Sequence, residues 1–135
     1  MITMYSTDNK KHIDIGTSDI WKAVYSTAYV RLGSFTKKVP LAMEFLRSGY
    51  CDYAEAMETA HQINLVRDEL SKYPPKKAVY DMENTKKKAP WENNLSPVIT
   101  SCANLFTTAD GKDLFCELVS ILVYSATMKS SVSID

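Results

Sequence analysis

The sequence is short of the residues that most small enzymes rely on. It has two histidines, His12 and His61, and three cysteines, Cys51, Cys102 and Cys116. None of the cysteines stands in a C-x-x-C pair, and no H-E-x-x-H or acidic calcium-loop spacing is present, which leaves no recognisable metal site. The four glycines, Gly16, Gly33, Gly49 and Gly111, are isolated. A phosphate-cradling loop needs them clustered, so Gly111-Lys112 ahead of a helix lacks both the upstream glycine and the following Ser/Thr of such a loop. Net charge is zero, with 16 basic and 16 acidic residues, which argues against a dedicated nucleic-acid binder. The longest apolar run, around Leu114–Val123, is broken by Glu117 and is too short to span a bilayer.

What is present suits one soluble domain over residues 1–135. Hydrophobic residues make up 45% and charged residues 24% of the chain, enough to bury a core without staples. The opening MITMYSTDNKK has no basic start followed by an apolar run, so a cytoplasmic location with three reduced thiols is expected.

Period-two alternation marks short strands at Met1–Ser6 and His12–Ile15, joined by the turn Asp8-Asn9-Lys10-Lys11, and a third at Ser131–Ile134. Thr17 or Ser18 is placed to cap a helix carrying Ile20, Trp21, Val24, Ala28 and Leu32 on one side, stopped by Gly33. Pro40 opens a short helix that closes at Ser48-Gly49. A longer helix is expected from Asp52 to about Tyr73, with Tyr53, Met57, Ala60, Ile63, Leu70 and Tyr73 on its apolar side and Pro74-Pro75 as its stop. Ala78-Val79-Tyr80 reads as a further strand, 81–97 as a long connection, and Val98–Phe106 as strand, short helix or bend. The last helix, from Leu114 to about Met128, carries Leu114, Phe115, Leu118, Val119, Ile121, Leu122 and Val123, with Asp110 as its cap and Asp113 in its first turn. Together these elements predict an α+β domain. A small antiparallel or mixed sheet packs against about four helices, and the C-terminal helix lies at the centre.

The stretch feeding that last helix carries a resemblance. Pro90-Trp91, Asn94-Leu95-Ser96-Pro97, Ile99-Thr100-Ser101-Cys102-Ala103-Asn104 and Thr107-Thr108-Ala109-Asp110-Gly111-Lys112-Asp113 follow one another in order. This order resembles a family of immunity proteins, numbered seventy, of bacterial polymorphic-toxin and contact-dependent growth-inhibition systems. The likeness is dense from about Tyr80 to Ile134 and thin before it. It implies a non-enzymatic cytosolic protein that binds and neutralises a cognate toxin domain as a 1:1 pair, without cofactor, direct nucleic-acid contact or membrane. Many toxin domains of such systems are nucleases with basic clefts, again by what the resemblance implies.

The residues themselves point to a protein partner. The chain holds eight tyrosines, and Tyr50 and Tyr53 lie beside Asp52, Glu55 and Glu58. From Asp52 to Tyr73, five acidic residues face two basic ones, whereas after Pro75 five lysines face Asp81 and Glu83. Tyrosine among carboxylates suits contact with a basic partner, and Tyr50, Asp52, Tyr53, Glu55, Glu58 and Glu69 are the expected toxin-binding residues. The bland reading of the same charges is a solvated helix face with acids near its positive end. Zero net charge departs from strongly acidic inhibitors and leaves binding beside an active site open as well as plugging it. The 90–113 motif is expected to determine the fold. Two other functions are consistent with the residues: an enzyme built on Cys102 or Cys116 with a histidine, and a nucleic-acid adaptor built on Lys86-Lys87-Lys88 and Trp91. Solvated charge for the lysines and loop packing for Trp91 are the simpler accounts.

Overall fold

The computed structural model describes residues 1–84, 86–87 and 95–135. Three strands form one antiparallel sheet in the order β2-β1-β3: β1 (Ile2–Ser6), β2 (His12–Gly16) and β3 (Val132–Ile134). The sheet joins both ends of the chain, as the alternation at Met1–Ser6, His12–Ile15 and Ser131–Ile134 predicts. Met4, Ile13, Ile15 and Val132 face the core, while Tyr5 and His12 face solvent as a tilted ring pair. The β1–β2 turn is held by Asp8, which accepts bonds from Ser6, the Lys10 amide and the Tyr124 hydroxyl. Those donors hold the Asp8 carboxyl down at about 2.

Four helices pack behind the sheet: α1 (Ser18–Leu32), α2 (Pro40–Ser48), α3 (Ala56–Leu70) and α4 (Leu114–Met128). Thr17 caps α1 by accepting from the Ile20 amide, and α2 starts with Pro40, whose missing N–H costs nothing in a first turn. Gly49 ends α2 at φ 73°, with the Ile134 side chain 2.5 Å from where a Cβ would stand. Only glycine satisfies both the left-handed backbone and that close approach.

Two helical expectations need correction. The long helix begins at Ala56, not Asp52; Tyr53–Glu55 is a separate 3-10 turn, and the helix stops at Leu70. Its buried side is Ala56, Thr59, Ala60, Gln62, Ile63, Val66 and Leu70, so Met57, and Tyr53 just before the helix, point outward at 54% and 41% exposure. The expected stripe mixed two faces, because this helix has few large apolar residues to set its phase. In α4 the cap is Asp113, which accepts from the Cys116 amide, rather than Asp110. Leu114, Phe115, Leu118, Ile121 and Leu122 are fully buried, each worth roughly 1.5–3 kcal/mol of transfer free energy. Val119 is half-buried and Val123 is exposed, so the stripe is narrower than the apolar run.

Helices α3 and α4 run antiparallel. The Arg67 guanidinium near the end of α3 reaches Cys116 Sγ in the first turn of α4 at 3.1 Å, and the chain just before α3 bonds to Ser131 just after α4. Helix α4 also touches β2 and β3, and its buried side chains belong to the hydrophobic core cluster.

The 95–113 motif is a scaffold of turns rather than a strand. Asn104 accepts from the Thr100 and Ser101 amides and donates to the Val98 carbonyl, closing the loop on itself. Cys102 N–H then donates to the Tyr73 carbonyl, which docks the loop on the end of α3. Thr108 and Asp110 close the next turn around Gly111, and Ala109 N–H bonds the Asp14 carbonyl of β2. Ala78-Val79-Tyr80 forms no strand either. The Thr27 hydroxyl exchanges bonds with both backbone groups of Val79, doing what a neighbouring strand would have done.

Candidate functional site

The expected site residues fall into two groups. Tyr50, Asp52, Tyr53, Glu55 and Glu58 stand together where α2 hands over to α3. Gly49 turns the chain out of α2, Tyr50 N–H bonds the Ser48 hydroxyl, and Cys51 exchanges two backbone bonds of 2.9 Å with Val132 of β3. The segment is therefore stitched to the sheet. The Ser131 hydroxyl donates to the Asp52 carboxylate at 3.2 Å and accepts from the Tyr53 amide at 3.1 Å. Asp52 is thus committed to holding the segment and is only half-exposed. Tyr50, at 52% exposure, Tyr53, Glu55 and Glu58 face solvent.

Glu69 is not part of this group. Eleven residues separate it from Glu58 on one helix, about 16 Å along the axis. Its carboxylate pairs with Lys72 at 3.0 Å. The acidic character of the helix is thus split between a start with no ion pair among the described residues and an end where Glu69 pairs with Lys72.

Exposed apolar side chains add to the first group. Met57, next to Glu58, is 54% exposed, and on α4 Val123 and Met128 are 39% and 52% exposed. The sequence pattern puts Met57 on the apolar side of the long helix. The Ala56/Ala60/Ile63 spacing would have placed Met57 outside had it been given precedence over residue size. Large apolar side chains in solvent beside carboxylates and tyrosines form the mixed surface seen in protein interfaces.

The cysteine alternative meets unfavourable local chemistry. Burial raises the Cys51 thiol, and it raises that of Cys102 to about 11. Both sulfurs donate to carbonyls, of Asp52 and Pro74 respectively, rather than to a base. Cys116 is exposed beside Arg67, and neither histidine hydrogen-bonds a cysteine among the described residues. Among those same residues no group of three metal-ligating side chains converges, and no helix is long and apolar enough to cross a membrane. In the lysine-rich stretch, Lys87 lies 5.2 Å over the Tyr80 ring. Lys88 and Trp91, on which the adaptor alternative also rests, lie outside the described residues.

A small α+β domain with a firmly pinned polar and aromatic surface fits a binding protein. Comparison with known families matches residues 3–134 to Immunity protein 70, and the chain belongs to that family. The match takes in α1 to α3 as well as the motif stretch, so the kinship extends well before Tyr80. No curated protein and no solved structure matches the chain.

Proposed function

We propose that this immunity protein binds a cognate antibacterial toxin domain one-to-one in the cytoplasm and blocks it by covering the surface that meets substrate. Contact is made through the start of α3: Tyr50, Tyr53, Glu55 and Glu58, with Asp52 holding the segment and Met57 as an apolar anchor. The observation that carries this reading is the pairing of two exposed tyrosines and a methionine with carboxylates on a segment tied to β3. Rigid aromatic side chains bring contact area at low entropic cost, and unpaired acids accelerate encounter with a basic surface. Glu69 contributes at most to the long-range field, given its pairing with Lys72.

The acidic start of α3 makes a basic cleft the natural counterpart, which agrees with a nuclease toxin. With zero net charge overall, the fit is local rather than global. Binding needs no catalytic group, and the proposed mechanism is steric.

The test is co-expression with the toxic domain encoded next to this gene, followed by calorimetry on the purified pair. Growth rescue with nanomolar one-to-one binding is expected. Absence of both rescue and binding would overturn the reading.

A further inference from the structure

The residue behind this surface is Gln62, a polar side chain buried to 7% exposure in the middle of α3. Its neighbour α2 needs it. Val39, at the cap position of α2, offers no side-chain acceptor, and Pro40 has no N–H. The first amides left to satisfy are those of Leu41 and Ala42, and both donate to Gln62 Oε1, at 2.8 and 3.1 Å. A residue on another helix thus does the work of an N-cap. Because two donors fix the oxygen there, the amide nitrogen has one orientation left. It points back one turn to Glu58 Oε1, at 3.4 Å. The reverse orientation would set an NH2 against two N–H donors.

We infer that Gln62 is a positioning residue: it aims the Glu58 carboxylate and leaves Oε2 as the open acceptor for a lysine or arginine of the partner. Glu58 is then the preorganised acid of the surface, with less freedom to lose on binding than Glu55, whose side chain makes no hydrogen bond or ion pair to another described residue. This rests on the proposed toxin-binding face, and two independent arms separate their failures.

The first arm needs no toxin. In the free protein, Glu58→Ala should move the side-chain amide resonances of Gln62; unmoved resonances would overturn the inference and leave the binding face untouched. The second arm is a double-mutant cycle read by calorimetry against the co-encoded toxin domain. Glu58→Ala should weaken binding about tenfold and Gln62→Met about threefold. The double variant should be no weaker than Glu58→Ala by itself. Fully additive losses would overturn Gln62 as a positioning residue, while an unaffected Glu58→Ala would overturn the binding face and the inference with it. Since Gln62→Met also removes the cap of α2, Gln62→Glu serves as the second variant. Its carboxylate can still accept from Leu41 and Ala42 but repels Glu58. Recovery of the wild-type melting temperature together with weakened binding is the expected signature, and wild-type binding by Gln62→Glu would count against the proposal.

Discussion

Helices α3 and α4 are the same length, lie antiparallel against each other, and were built by opposite means. In α4 the sequence is apolar almost throughout, and five large side chains disappear completely into the core. In α3 the buried side is made largely of small or polar residues, Ala56, Thr59, Ala60 and Gln62, with Ile63, Val66 and Leu70 further along. The start of α3 carries Met57 and Glu58 outward, and Tyr53 stands exposed in the turn just before it. A core needs one strongly apolar element. Its partner is then free to use short side chains inside and to commit its outer face to recognition.

The largest effect that would test this contrast is on stability. Phe115→Ala in α4 should cost about 3–5 kcal/mol, because the ring is fully buried and leaves a cavity. Met57→Ala in α3 should stay within about 0.5 kcal/mol, since that side chain is more than half exposed. Urea unfolding of the two variants decides it, and equal losses would break the comparison. Binding should show the reverse order. Glu55→Lys with Glu58→Lys is expected to weaken toxin binding roughly a hundredfold, mostly through a slower on-rate and less so at high salt. The melting temperature should barely move, and a Phe115 variant that still folds should bind like the wild type.

The same contrast explains what could be read from the sequence. The strands at both ends, the α2 start at Pro40, the glycine stops and the existence of α4 were legible because each rests on local chemistry: alternation, a missing N–H, a positive φ. On α4 the helical period puts Leu114, Leu118, Ile121, Leu122 and Ser125 on one side, and all five are buried, whereas the apolar run by itself does not say that Val123 faces water. On α3 the phase was misread because size was weighed over spacing, and Met57 and Tyr53 were put inside. Five of the six expected site residues fall on one short segment, 50–58, simply by their sequence positions, whereas the charge of Glu69 says nothing of its distance along the helix or of its pairing with Lys72. The Val79–Thr27 exchange and the Gln62 cap were invisible, as both join residues distant in sequence through a single side chain. The Pro90–Asp113 motif is expected to determine the fold, and within its described part Asn104 and Thr108 each hold a turn through side-chain bonds.

A smaller effect sharpens the comparison at the helix starts. Asp113→Ala should cost about 1 kcal/mol by removing the cap on α4. Glu55→Ala should cost much less, because Glu55 precedes α3 without a side-chain cap bond. Thermal unfolding of the pair measures the difference, and parity between them would mean that the two helices begin on equal terms.

The smallest effect concerns a polar atom with no visible use. Ser125 lies fully buried on α4 and its hydroxyl has no partner among the described residues. An unsatisfied buried hydroxyl is destabilising by its lost hydration, while the methyl-sized void left by removing it is slight. Ser125→Ala should therefore leave stability unchanged within about 0.5 kcal/mol or raise it. The contrast is with Thr59 on α3, equally buried, whose hydroxyl donates to the Glu55 carbonyl at 2.8 Å and accepts from Cys51 Sγ at 3.5 Å. Thr59→Val should lose roughly 1 kcal/mol, because the shape is kept while both bonds go. If urea unfolding reverses that order, the polar interior of α3 is not what holds the recognition segment in place, and the division of labour between the two helices would have to be drawn differently.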